Sequence, residues 1–284
     1  MYKALVSTTK GTAWLVATGT LTNVAMLIAK YPDVVDHIKG LSIMGGAIGM
    51  MADGLFSDAP MGKVGSKERY GNWTPYGEFN VVADPEAAAS IFNTPALAAK
   101  TTLIPLDVSH QVLANKKVQS LLKHGKNPSP ACSAQPSTMR IMFVELLYFF
   151  ADTYATVFGL TDGPPLHDPI ALAAIFDDTP HAIPFYYHKK GAEGKNAPEE
   201  RFHVLVKTEG THVEAMLGTK ETGRTVATLL PEGEAGVKIP RGLDVDNFWS
   251  TIGDCMEMAD KKNAEDTKAN GQVYENGKAS IKVD

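Results

Sequence analysis

Three short apolar runs, each followed by residues at helical spacing, constrain this chain more than any other feature. "AWLVATG" (13–19) is succeeded by "LTNVAMLIAKYPDVVDHI", where Val24, Leu27 and Ile28 fall on one helical face. "KGLSIMGGAIG" (39–49) and "TTLIPLDVS" (101–109) repeat the strand-like run. A run without polar alternation suits a strand buried on both faces, and strands joined through helices lie parallel. The expected fold class is therefore α/β, an open, mostly parallel sheet with helices on both faces. Ligands of such sheets bind at the carboxyl ends of the strands. The segments predicted there, "ATGTLTN", "MGGAIG" and "LDVSHQ", are rich in small and polar residues.

The remaining pattern fills in around that sheet. Residues 50–77 form a long loop rich in Gly, Pro, Ser and Asp, a length that in compact domains usually accompanies function or disorder. "ADPEAAASIF" starts a helix with Asp84 as cap and Pro85 first. A Lys-rich helix is expected over about 114–124, one long apolar helix over "STMRIMFVELLYFFADTYATVF", and a short one at "HDPIALAAIF". "RFHVLVKTEG" and "GRTVATLL" read as late strands and "NFWSTIGDCMEMADKK" as a closing helix. One domain over 1–262 is expected, with 263–284 a disordered polar tail.

A formal net charge of −5 offers no basic surface for nucleic acid or an anionic membrane. No apolar run reaches the roughly 18 residues that span a bilayer. Two cysteines, Cys132 and Cys255, lie far apart without a metal-spaced partner, which suits a reducing, cytoplasmic setting.

The chemistry-bearing candidates are modest one by one. In "GPPLHDPIALAAIF" (163–176), Asp168 and Pro169 are ordinary helix-start residues, but His167 beside them is not needed for a cap. In "GEFN", Glu78 and Asn80 share a direction if that segment is extended. Taken singly, Thr18 reads as a turn residue, Met44 as core, Asn72 as a loop residue and His110 as a satisfied semi-buried histidine. Phosphate-loop, nucleophile-elbow and HExxH motifs are missing from the sequence.

In register, the blocks "ATGTLTNVA", "LSIMGGAIG", "GNWTPYGEFNVVADPEAA", "LDVSH" and "LHDPIALA" closely resemble the inosine–uridine nucleoside hydrolase family, nearest its fungal uridine-nucleosidase-like branch. The resemblance implies hydrolysis of the N-glycosidic bond of ribonucleosides through a Ca²⁺-bound water, on an α/β fold. It implies that Thr18, through its carbonyl, and Asp168 are calcium ligands, and that His167 protonates the leaving base. Asn72, Glu78 and Asn80 then hold the ribose, Met44 and Phe79 line the sugar pocket, and a homo-oligomer becomes possible. The aspartate cluster DxDxGxDD with which the family opens has no counterpart here, so the chain is expected to lack the N-terminal part of the fold. A catalytically dead homologue that binds nucleosides or a protein partner is the alternative.

Overall fold

The computed structural model describes residues 1–49, 62–64, 67–126, 135–177, 179–188 and 199–269. Helix α1 (Tyr2–Val6) precedes strand β1 (Trp14–Ala17), and helices α2 (Thr22–Lys30) and α3 (Val34–His37) lead to β2 (Gly40–Met44). A hairpin of β3 (Gly62–Val64) and β4 (Lys67–Arg69) comes before α4 (Phe79–Val82), α5 (Pro85–Phe92) and α6 (Pro95–Ala98). Strand β5 (Thr101–Ile104) runs into α7 (Leu106–Ser109), followed by α8 (Lys116–His124), α9 (Thr138–Tyr148) and α10 (Ala151–Phe158). Helix α11 (Asp168–Ala173) returns to the sheet. Strands β6 (Phe185–Tyr186) and β7 (Phe202–Val206), helix α12 (His212–Leu217), strands β8 (Thr225–Leu229) and β9 (Gly242–Leu243), and helix α13 (Val245–Ala269) complete the order.

The three runs that open the sequence reading do form a parallel sheet, in the order β1-β2-β5. Alternation decides its two faces. Leu41, Ile43 and Leu103 point into a core shared with α2, α5 and β7, while Met44 and Ile104 point into a second core with α11 and α13. The one polar side chain in mid β2, Ser42, is satisfied by donating to the Ala171 carbonyl at 2.6 Å, which ties α11 across the sheet. Beyond β5 the sheet continues as a parallel bridge from Thr102 to Lys238, and the antiparallel pair β7–β8 joins it through Phe202 and Val237.

Local chemistry explains the helix starts. Asp84 caps α5 by accepting from the Ala87 N–H, and also takes the Thr22 hydroxyl, tying α2 to α5. Asn115 caps α8 through the Val118 N–H at 3.0 Å.

Several expectations change. The apolar stretch expected as one helix divides into α9 and α10 around Phe149 and Phe150. Contrary to the sequence reading, Thr138–Phe158 is long and apolar enough by length and composition to cross a membrane, and little of it is buried. The closing helix runs to Ala269, so residues 263–269, assigned to a tail, are helical; residues 270–284 lie outside the described residues, as do residues 50–61, 65 and 66 of the expected loop and Cys132. The segment holding Glu78 and Asn80 is not extended, because Glu78 starts a helix.

Candidate active site

The site is built where β2 and β5 end. Gly46, at φ +81°, turns the chain after β2. Its N–H donates to Glu78 Oε2 at 2.9 Å. The same oxygen caps α4, accepting from Asn80 N–H at 3.0 Å and Val81 N–H at 3.2 Å. Burial pushes the Glu78 carboxyl up; the three N–H donors oppose that shift, and Asp168 adds to it. Asn80 is buried and donates from Nδ2 to the Met44 carbonyl at 2.9 Å, touching its Sδ at 3.5 Å. Glu78, Asn80 and Met44 thus form one unit at the end of β2.

The end of β5 supplies the second half. Asp107 accepts from the N–H groups of Ile48 and Gly49 at 2.9 and 2.8 Å, anchoring the glycine-rich exit of β2 to α7. Ser109 Oγ lies 2.6 Å from His167 Nδ1, and the Tyr154 hydroxyl lies 2.8 Å from His167 Nε2. Both ring nitrogens of His167 are therefore occupied, and burial pulls its pKa down to about 4. His110 packs against the same ring, with centroids 5.6 Å apart, and is also edge-on to Tyr154 and Phe158. Burial and then the neighbouring His167 lower its pKa to about 3.

The prolines of "GPPLHDP" have a specific task. The Pro164 carbonyl accepts from Ala114 N–H, Leu166 N–H donates to the Val112 carbonyl, and Leu113 bridges Pro165 in antiparallel fashion. Residues 164–166 are thereby laid against 112–114, and His167 leaves that ladder directly into α11. His167, not Asp168, occupies the N-cap position; Asp168 is the first helical residue, and no side-chain cap bond forms. The expected Asp168 cap is corrected accordingly. Its carboxylate stays exposed at the rim, makes no hydrogen bond among the described residues, and is raised in pKa by desolvation.

His167, Asp168, Glu78, Asn80 and Met44 are thus neighbours at the carboxyl end of the sheet. Asn72 and Phe79 sit on its rim, where Asn72 Oδ1 accepts from the Phe79 N–H at 3.0 Å. Thr18 is exposed just past β1; since Ala17 pairs with Ile43, it stands level with Met44 at the same end. Ser109 and Tyr154 were not singled out from sequence. Ser109 lay inside a quoted block, "LDVSH", whereas Tyr154 sat in an apolar helix where nothing in the pattern separates it from core.

The sequence model described as inosine-uridine preferring nucleoside hydrolase matches residues 1–250. The chain belongs to this family. Within the nucleoside hydrolase family, the chain is 28% identical over 254 residues to a uridine nucleosidase of Saccharomyces cerevisiae, covering 87% of this chain and 61% of that protein. It is 28% identical over 250 residues to an inosine-uridine preferring nucleoside hydrolase of Leishmania major, covering 87% and 60%. Among solved structures it resembles a purine-preferring ribonucleoside hydrolase from Gardnerella vaginalis, with a TM-score of 0.57 at 22% identity, over 89% of this chain and 64% of that one. The fold is therefore that of a nucleoside hydrolase, and the chain spans under two thirds of these relatives' lengths.

The family resemblance implies a calcium ion. Ca²⁺ takes about 6–8 oxygen ligands. Among the described residues no group of three or more His, Cys, Asp and Glu side chains could hold a metal ion. Asp168 offers a carboxylate without a hydrogen bond, while one Glu78 oxygen already accepts three N–H groups. The described residues do not fit a calcium site by themselves.

Proposed function

We propose that the protein acts on ribonucleosides, hydrolysing the N-glycosidic bond to release base and ribose, and that this chain carries the sugar-holding and leaving-group side of the site. The observation that supports this reading most is His167, gripped by Ser109 and Tyr154 and placed next to Asp168 at the sheet's carboxyl end. In the reaction, water adds to C1′ while the C1′–N bond breaks with its electrons going to the base, which must gain a proton as it leaves. His167 is neutral at rest, so the Tyr154 hydroxyl gives its proton to the base, and a proton then taken up by His167 passes from Nε2 to the Tyr154 oxygen. Glu78 Oε1 and Asn80 Oδ1, which accept no hydrogen bond among the described residues, are available to sugar hydroxyls, and Met44 and Phe79 line the sugar's apolar side. Thr18 and Asp168 are the calcium ligands suggested by resemblance.

The incomplete donor set favours a second reading, a nucleoside-binding homologue without turnover. Release of uracil from uridine, followed with and without added Ca²⁺, separates the two. Turnover lost in Asp168→Ala supports the hydrolase; uridine binding without turnover supports the binding module; absence of both rejects the two readings together.

A further inference from the structure

The ring of His167 lies between two hydroxyls, one at each nitrogen. Ser109, Tyr154 and the neutral imidazole carry one such proton each, so two hydrogen bonds use two protons and one is left over. Only two arrangements make both bonds. In the first, Ser109 donates to Nδ1, Nε2–H donates to the Tyr154 oxygen, and the Tyr154 proton is left over. In the second, Tyr154 donates to Nε2, Nδ1–H donates to Ser109 Oγ, and the Ser109 proton is left over.

Burial decides between them. Ser109 ends α7 with no exposed surface, so a leftover proton there has to find its acceptor inside the protein. Besides His167, the acceptor among the described residues is the Leu106 carbonyl, which at 3.5 Å stands at the outer limit of a hydrogen bond. His167 Nδ1, at 2.6 Å, is far better placed. A buried hydroxyl proton without a good acceptor disfavours the second arrangement by roughly tenfold or more.

The Tyr154 proton meets the opposite surroundings. Its hydroxyl is only partly buried and makes no other hydrogen bond among the described residues. Burial raises its pKa, and the Glu78 and Asp168 carboxylates add to that shift, so both act on this hydroxyl and keep its proton in place. Helix α10 is thereby tied to the polar unit at the end of β2. The His110 ring packs on His167 with centroids 5.6 Å apart but makes no hydrogen bond to it, which leaves the tautomer to the two hydroxyls.

We propose that Ser109 is a positioning residue: by donating to Nδ1 it fixes His167 as the Nε2–H tautomer, which makes Tyr154 an acceptor towards His167 and frees its own proton for a departing base. The use of that proton rests on the ribonucleoside reading above, while the tautomer stands on the hydrogen bonds alone. As the C1′–N bond breaks with its electron pair going to the base, the Tyr154 proton moves to that base. The phenolate oxygen left behind already accepts from Nε2–H.

Ring ¹⁵N spectra of the full chain, labelled in histidine and recorded at neutral pH, test it. The His167 signals are those lost in His167→Gln. A proton on Nε2 and a bare Nδ1 are expected in the unaltered chain. That pattern should survive Tyr154→Phe, which leaves Ser109 as donor, and give way to a mixture of tautomers in Ser109→Ala. Unmoved signals from the other histidines then show that the fold is retained. A proton on Nδ1 in the unaltered chain, loss of the pattern in Tyr154→Phe, or an unchanged pattern in Ser109→Ala overturns the inference and leaves the ribonucleoside reading untouched. In turnover, Ser109→Ala should lower kcat for uridine about tenfold with little change in KM, and spare a p-nitrophenyl riboside. Equal losses on both substrates overturn the aim of the Tyr154 proton. If the unaltered chain cleaves neither, the hydrolase reading falls and that aim with it, while the spectra still decide the tautomer.

Discussion

His167 is held by hydroxyls at both ring nitrogens and kept neutral by burial, which fixes how it responds to pH. Its folded pKa of about 4, like that of about 3 for His110, lies below the ordinary value of 6.5. Above pH 6.5 both states are neutral and the two groups contribute nothing to pH dependence. As pH falls from 6.5 towards 4 and 3, the unfolded chain takes up protons that the folded chain refuses, so stability drops, by on the order of 3 kcal/mol for His167. Urea unfolding at pH 7.0 and 4.5 should show the loss, with a shallower fall in His110→Phe. If His167 supplies the leaving-group proton, His167→Ala should slow uridine cleavage by about 10²–10⁴ while sparing a p-nitrophenyl riboside, whose leaving group needs no proton. Equal losses on both substrates would reject the role. At this scale the sequence was informative where residues cluster in blocks: His167, Glu78 and Asn80 stand out because their neighbours do. Tyr154 was illegible, since its hydroxyl acquires meaning only when α10 folds back on to α11.

Between residue and molecule, glycines and caps decide where the site lies. Gly163 has φ +148°, and a Cβ there would lie 2.2 Å from the Ala114 carbonyl oxygen. Gly163→Ala must push apart the ladder that delivers His167, and a loss of about 2–4 kcal/mol is expected in chemical denaturation. A loss below about 0.5 kcal/mol would mean that the ladder yields without cost. Asp107→Ala strips the N–H groups of Ile48 and Gly49 of their acceptor and should destabilise by about 2–3 kcal/mol, with Asp107→Asn retaining part of that. Periodicity made α5 and α8 readable in the sequence, and the Asp84 cap of α5 with them, whereas the Asn115 cap of α8 emerged only in the structure. It could not show that Glu78 would start a helix, because four residues are too few for a period, nor that Phe149 and Phe150 would interrupt an apolar stretch.

For the whole molecule, three uniformly apolar runs were enough to announce the parallel sheet, since strands buried on both faces leave that mark; β2 and β5 are buried throughout, whereas Trp14, Leu15 and Val16 of β1 are only partly covered. The order β1-β2-β5 and the bridge on to Lys238 were not legible, because pairing across distant segments is settled by tertiary contacts. The calcium expectation is a whole-molecule matter too, as its donors must converge from separate elements. Titrating Ca²⁺ into this chain should give no saturable heat and move the melting midpoint by less than about 1 °C. A saturable shift would show that the chain assembles a donor set by itself.

The chain leaves the sheet region at Ala114 and comes back at Pro164, and those two residues are bonded to each other. The described residues between them, α8, α9 and α10 included, form a detour whose two ends meet in the ladder of 112–114 against 164–166. Changes within the detour reach the site through Tyr154, while the ladder holds the backbone that carries His167. One substitution in the detour can thereby loosen the grip on His167 without touching the sheet that positions it.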